Sequence, residues 1–351
     1  LDIPFWVWAA TIGGLIAIIV LDLLIVDQPW RKDRTGPREF SLGQATRWVI
    51  FYMTLAVIFG IGLWFFGGSD AGLEFFAGYV TEYSLSVDNL FIFFLIMTGF
   101  AVPRAYQHEV LLIGIVIALI MRGAFIAIGA QALNAWSWLF YVFAAFLLYT
   151  AYGVFRDALK HEEEDAGKYT NNRFIRFVRR VVPSTEHYHG ARLFIRENGK
   201  RLATPMFIVI VAIGLTDLMF ALDSIPAIFG LTQNTYIIFT ANAFALMGLR
   251  QLYFLLGGLM ERLVYLNFGL AFILAFIAVK LTFHALHVSG VHVPEIGTEL
   301  SLGIIVGTLA VTAAVSLWKS SRDRRRGITT GGGGDDSEGG ATAAEEQPAK
   351  S

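Results

Sequence analysis

Glu82-Tyr-Ser-Leu-Ser-Val-Asp88-Asn89 and Asp217-Leu-Met-Phe-Ala-Leu-Asp223-Ser224 each set two acids six residues apart within a long apolar run. Glu82 to Asp217 and Asp88 to Asp223 are both separated by 135 residues, so the two stretches share one register. Acids at the centre of an apolar helix are costly, about 2.5–3.5 kcal/mol each on insertion scales, and are not placed twice in the same pattern by chance. Around them the chain is strongly apolar. Its 351 residues are 56% hydrophobic and 16% charged, with a mean hydropathy of +0.59, which excludes an ordinary soluble domain and predicts an all-α polytopic membrane protein.

Runs long enough to cross about 30 Å of hydrocarbon fall near residues 4–26, 46–66, 73–100, 108–130, 134–155, 205–230, 235–257, 262–283 and 300–318. The first follows Asp2 rather than a basic segment and exceeds a signal-peptide core, so it is expected to be a retained helix. Lys and Arg number four in 27–45, one in 101–107, eleven in 156–204, one in 258–262 and six from 319 onward. These are alternate connections. By the positive-inside tendency the N-terminus is expected outside and the C-terminus inside.

With that orientation the third span runs inward and the sixth outward, so the two acidic motifs are antiparallel. Arg122 in the fourth span and Arg250 in the seventh add a looser echo. Spans 3–5 and 6–8 are therefore expected to be inverted three-helix repeats, an architecture that puts a site near the midplane. The chain divides into accessory helices 1–2 (1–66), a first repeat (67–155), a basic inner loop (156–204), a second repeat (205–283), an outer loop with the ninth helix (284–318), and a basic segment with an acidic Gly-rich tail (319–351). Residues 173–180 interleave basic and apolar side chains, as a helix lying on anionic headgroups would. The tail from Gly331 has too little apolar content to fold.

No cysteine is present, so thiolate metal sites and thiol catalysis are excluded. The acids, with Ser86, Asn89, Thr216 and Ser224, are hard oxygen donors suited to Mg²⁺, Ca²⁺ or Mn²⁺. At about 100° per residue, positions seven apart nearly coincide. Glu82, Ser86 and Asn89 form one stripe and Asp217 aligns with Ser224, whereas Asp88 and Asp223 turn aside. Either the helices break at the motif or two facets are used. Pro226 favours a break in the sixth span, because it leaves the carbonyl of Leu222 without its amide donor. The rival account is that the acids pair with Arg122, Arg250 and Lys280 as structural salt bridges. Asp22 is expected to anchor a helix end, and His284, His287, His292, His187 and His189 to be solvated rather than to bind metal.

Four stretches resemble the TerC family of integral membrane proteins: Gly78-Tyr-Val-Thr-Glu82 continuing to Phe91, Val102-Pro-Arg-Ala-Tyr-Gln107, Asn198-Gly-Lys-Arg-Leu-Ala-Thr-Pro205, and Thr216-Asp217 continuing to Ala227. The resemblance covers residues 20–318. It implies tellurium-resistance relatives and bacterial manganese exporters, and carries Glu82, Asp88, Asn89, Asp217, Asp223 and Ser224 over as metal-site candidates. Two positions depart from the family pattern: Gly214 stands where many members have a Glu, and Tyr83 replaces a frequent basic residue.

The expected function is secondary export of a divalent cation, Mn²⁺ first with Ca²⁺ or another divalent ion as rivals, through a bacterial inner membrane and with protons as the returning ion. No resident cofactor, enzymatic activity or nucleic-acid partner is expected; lipid headgroups are partners of the 156–204 loop, and self-association into a homo-oligomer is left open. A scaffold for tellurite or envelope-stress complexes would use the same basic loop and tail. A presenilin-like aspartyl protease fits poorly, because Gly214-Leu-Thr-Asp217 lacks the second Gly of that motif.

Overall fold

The computed structural model describes residues 3–22, 42–160, 185, 187–190, 192–197, 200–256 and 265–325. Its helices are α1 (Phe5–Asp22), α2 (Leu42–Gly67), α3 (Ser69–Gly99), α4 (Arg104–Ala135), α5 (Leu139–Lys160), α6 (Pro205–Phe229), α7 (Thr235–Met247), α8 (Leu249–Leu256), α9 (Leu266–Val288) and α10 (Thr298–Arg325). Among the described residues, nine helical stretches are long and apolar enough to cross a membrane, with α7 and α8 together making one of them. The basic 173–180 stretch and the Gly-rich tail lie outside the described residues.

Local chemistry sets the helix ends. Asn234 caps α7, its side-chain oxygen accepting the amides of Tyr236 at 3.0 Å and Ile237 at 3.4 Å, and Pro205 opens α6 at the position where a missing amide costs nothing. Outward faces stay apolar, with Phe66 95% exposed and Phe65 80% exposed at the end of α2, as expected of helices that face lipid.

The break that Pro226 favours in the sixth span does not occur, and of the two alternatives left open the use of two facets holds. Helix α6 runs without interruption through Pro226 to Phe229, and α3 is continuous across its motif. Here the proline lies within four residues of the helix end, where the loss of one hydrogen bond and the ring crowding are absorbed without ending the helix. The discontinuity lies instead in the seventh span, at Gly248 between α7 and α8.

Packing pairs α5 with α9, α3 with α7 and α4 with α6. Exchanging α3 with α6, α4 with α7 and α5 with α9 returns the same set of pairs. Helix α7 is buried over almost its whole length and approaches α3 closely at Gly78, where a Cβ would stand 3.3 Å from that of Ala241. One apolar core contains Leu90, Ala118, Ile213 and Leu246. A second contains Ala77, Ile126, Ala221 and Ile238, and a third joins Leu15 and Tyr52 to Phe75 and Phe244.

The loop before α6 contains an unexpected antiparallel hairpin, β1 (Phe194–Glu197) and β2 (Lys200–Ala203). Asn198-Gly199 between them is a strong turn signal. Tyr188 donates its hydroxyl to the Phe100 carbonyl at 2.9 Å, and Thr204 donates to Arg192 O at 2.6 Å. The hairpin region is thereby tied both to the α3–α4 turn and to the start of α6.

Candidate functional site

Between the first two cores lies a thin polar layer. Arg122 has Ala118 four residues before it in one core and Ile126 four residues after it in the other; Asp217 is bracketed in the same way by Ile213 and Ala221. Glu82 falls between Ala77 and Leu90. The layer is closed to its surroundings: Glu82, Arg122, Asp217 and Ser224 are 0%, 1%, 2% and 1% exposed.

Arg122 organises this layer. Its Nη2 donates to Asp217 Oδ1 at 3.0 Å and its Nε to Oδ2 at 3.3 Å, a two-point grip on the carboxylate. Its Nη1 donates to Ser224 Oγ at 3.2 Å and forms an ion pair with Glu82. Two carboxyl groups therefore share one guanidinium, and the formal charges of the trio leave one acid without a cation of its own. Asp217 and Ser224 both reach Arg122, which bears out the stripe expected from their seven-residue spacing.

The other expected residues are distributed differently. Ser86 and Asn89 are buried on the Glu82 stripe, and Ser86 Oγ has no hydrogen bond among the described residues. Asp88 and Asp223 are half-buried on neighbouring facets, and Asp223 accepts a hydrogen bond from Thr150 of α5 at 3.0 Å. Thr216 turns its hydroxyl back to the Ala212 carbonyl at 2.8 Å and so is occupied within its own helix. The Leu222 side chain faces outward at 47% exposure.

The rival account of structural salt bridges holds for Arg122, which pairs with Glu82 and Asp217, and fails for Arg250 and Lys280. Arg250 does not join the layer as a second Arg122; its Nη2 pairs with Asp22 Oδ2 at 2.7 Å, both groups buried. Asp22 closes α1 as the expected helix-end anchor, and Gln251 also donates to both its oxygens at 3.2 Å. Lys280 donates to Ser301 Oγ at 3.0 Å, away from the motif acids. Burial selects the Arg250–Asp22 pair, because a desolvated charge must be matched wherever the fold provides an opposite one. At the far end of α9, His284 touches Gln233 and the Phe140 ring, and His287 lies 3.6 Å from Glu295. Among the described residues no three His, Asp or Glu side chains gather as a metal centre.

Asn242 was missed by the motif search. It is buried on α7 with Ile238 in one core and Leu246 in the other, four residues to either side, so it occupies the same layer. The signal was present as a lone amide inside the apolar run from Ile237 to Leu249.

A family profile described as "Integral membrane protein TerC family" matches residues 67–324. The chain belongs to this family. An uncharacterized membrane protein of Mycobacterium tuberculosis is 43% identical over 327 residues, covering 91% of this chain and 80% of that protein. An uncharacterized membrane protein of Myxococcus xanthus is 38% identical, covering 89% and 92% of the two chains. A TerC relative from Escherichia coli, named for membrane-bound redox modulation as Alx, is 36% identical over 90% of this chain and 97% of its own. No solved structure matches the chain.

Proposed function

We propose that this TerC-family protein is a secondary transporter that exports a divalent cation, Mn²⁺ first, from the cytoplasm of a bacterium across its inner membrane. The observation that carries the proposal is the meeting of Glu82 and Asp217, one from each copy of the motif, around a single buried cation. Carboxylates at this depth are retained at a cost, and in transport proteins such groups mark ion routes. The exchangeable packing pairs support an inverted repeat of α3–α5 on α6–α9 with the layer between its halves.

The cation would engage Glu82 and Asp217 from the cytoplasmic side and leave on the other as the two halves rock. Asp88 and Asp223, on adjacent facets, flank this route. At the carboxyls that Arg122 does not pair with, low-dielectric surroundings favour the neutral form once the cation has left, which makes protons the natural returning ion. The redox name of some relatives does not call for a thiol couple here, because the chain has no cysteine; a change in cellular metal content would shift redox balance without one.

The test is the intracellular manganese content of cells challenged with manganese and carrying wild type, Glu82→Gln, Asp217→Asn, Asp88→Ala or Asp223→Ala at equal expression. Wild type is expected to hold manganese low and the variants to let it rise. Wild-type clearance by all four variants would overturn the proposal.

A further inference from the structure

The polar layer contains more ligands than it uses. Ser86 Oγ and both Oδ1 and Nδ2 of Asn242 make no hydrogen bond among the described residues, although Ser86 is 0% and Asn242 1% exposed. A buried amide with neither end satisfied is strongly unfavourable in an apolar setting and calls for an explanation.

The direction of Asn242 follows from its neighbours. Phe239 lies 3.4 Å from the position of a Cβ on Gly123, next to Arg122, and Ala241 lies 3.3 Å from that of Gly78, one turn from Glu82. These contacts place α4 and α3 about 200° apart around α7. On the wider arc between them Tyr236 meets Thr11 of α1 and Phe244 meets Phe59 of α2. Asn242 falls on the opposite arc, about 60° from Phe239, and so faces the seam between α3 and α4 where Glu82 and Arg122 meet.

We infer that Arg122 is a tethered stand-in for the divalent cation, and that Asn242 and Ser86 hold neutral oxygens in reserve, which join Glu82 and Asp217 around the ion when the guanidinium withdraws. Two carboxylates with an amide oxygen and a hydroxyl make a hard-oxygen set for a divalent cation. Arg122 now holds the positions that such an ion would take, gripping Asp217 at two points and pairing with Glu82. Ion and guanidinium thus compete for the same two carboxylates. Arrival of the ion frees Arg122, and its return expels the ion.

The inference deepens the exporter proposal and rests on it for the ion being cargo. Mn²⁺ alone is the probe, with binding to the purified full-length chain in detergent read from loss of the free-ion paramagnetic signal and from the rise in melting temperature. Arg122→Gln removes the competitor and should bind Mn²⁺ about tenfold or more tightly than wild type, with a larger thermal shift. Asn242→Leu should melt no lower than wild type without metal, because an apolar side chain replaces an unsatisfied amide, yet bind Mn²⁺ about tenfold more weakly. A merely structural asparagine, or one bound to a trapped water, would leave the affinity unchanged.

Equal or weaker binding by Arg122→Gln overturns the inference. So does unchanged affinity in Asn242→Leu, which decides alone if Arg122→Gln does not fold. Failure of the two proposals is distinguishable. Manganese efflux by wild type together with unaltered affinity in Arg122→Gln sinks the competition and leaves the exporter standing. Tightened binding in Arg122→Gln with no efflux by wild type does the reverse.

Discussion

Replacing Arg122 by Met isolates the energetic role of the layer. The change keeps an unbranched side chain but removes the guanidinium that serves Glu82, Asp217 and Ser224 at once. Removing one partner of a buried ion pair costs about 3–5 kcal/mol, because the remaining charge is stranded in low dielectric. Here two carboxylates are stranded, so Arg122→Met should lose at least that range, about a hundredfold to a few thousandfold in the folding equilibrium. Neutralising both acids as well, in Glu82→Gln/Asp217→Asn/Arg122→Met, removes the stranded charge and should return most of the loss, to within about 2 kcal/mol of wild type. The assay is unfolding in mixed micelles titrated with a denaturing detergent, with chelator present so that no metal substitutes for the lost cation. A single variant within about 1 kcal/mol of wild type, or a triple variant no more stable than the single one, would refute the account of Arg122 as the charge that holds the layer together.

Other substitutions test other parts of the structure. Gly78→Leu forces a branched side chain into the seam where even a Cβ would lie 3.3 Å from Ala241, and should cost about 1–3 kcal/mol in the same micelle titration. Because α6 is continuous through Pro226, Pro226→Ala should preserve fold and manganese efflux while restoring an amide for the Leu222 carbonyl; loss of efflux at normal expression would show that the proline has a role beyond this helix. Asp22→Leu strands buried Arg250 and should destabilise by about 3–5 kcal/mol, whereas Asp22→Leu/Arg250→Leu should recover much of that loss. Tyr188→Phe deletes the bond to the Phe100 carbonyl and should cost about 1 kcal/mol, read as earlier proteolysis near the hairpin.

The membrane class and the span count were legible because each depends on summed apolar length, which neighbours cannot override. The facets were legible too: seven-residue spacing put Asp217 over Ser224, and Arg122 touches both. Less legible was which cation meets which acid. Arg122 and Arg250 resemble each other in the chain, but only the fold sets one among the motif acids and the other beside Asp22, a residue more than two hundred positions away. Pro226 misled because a missing amide near the end of a helix does not end it. Asn242 escaped notice because no spacing rule links a lone amide to acids on other helices; its meaning comes from being level with them.

Two carboxylates and one guanidinium also give the layer an electrical character. A single uncompensated negative charge moved through the full membrane field couples to the potential by about 2.3 kcal/mol per 100 mV. With a divalent ion on the same two carboxylates and the displaced guanidinium still tethered to α4, the sum becomes one positive charge, and the coupling changes sign. Voltage would then act in opposite senses on the empty and the loaded protein, setting how readily it resets between cycles.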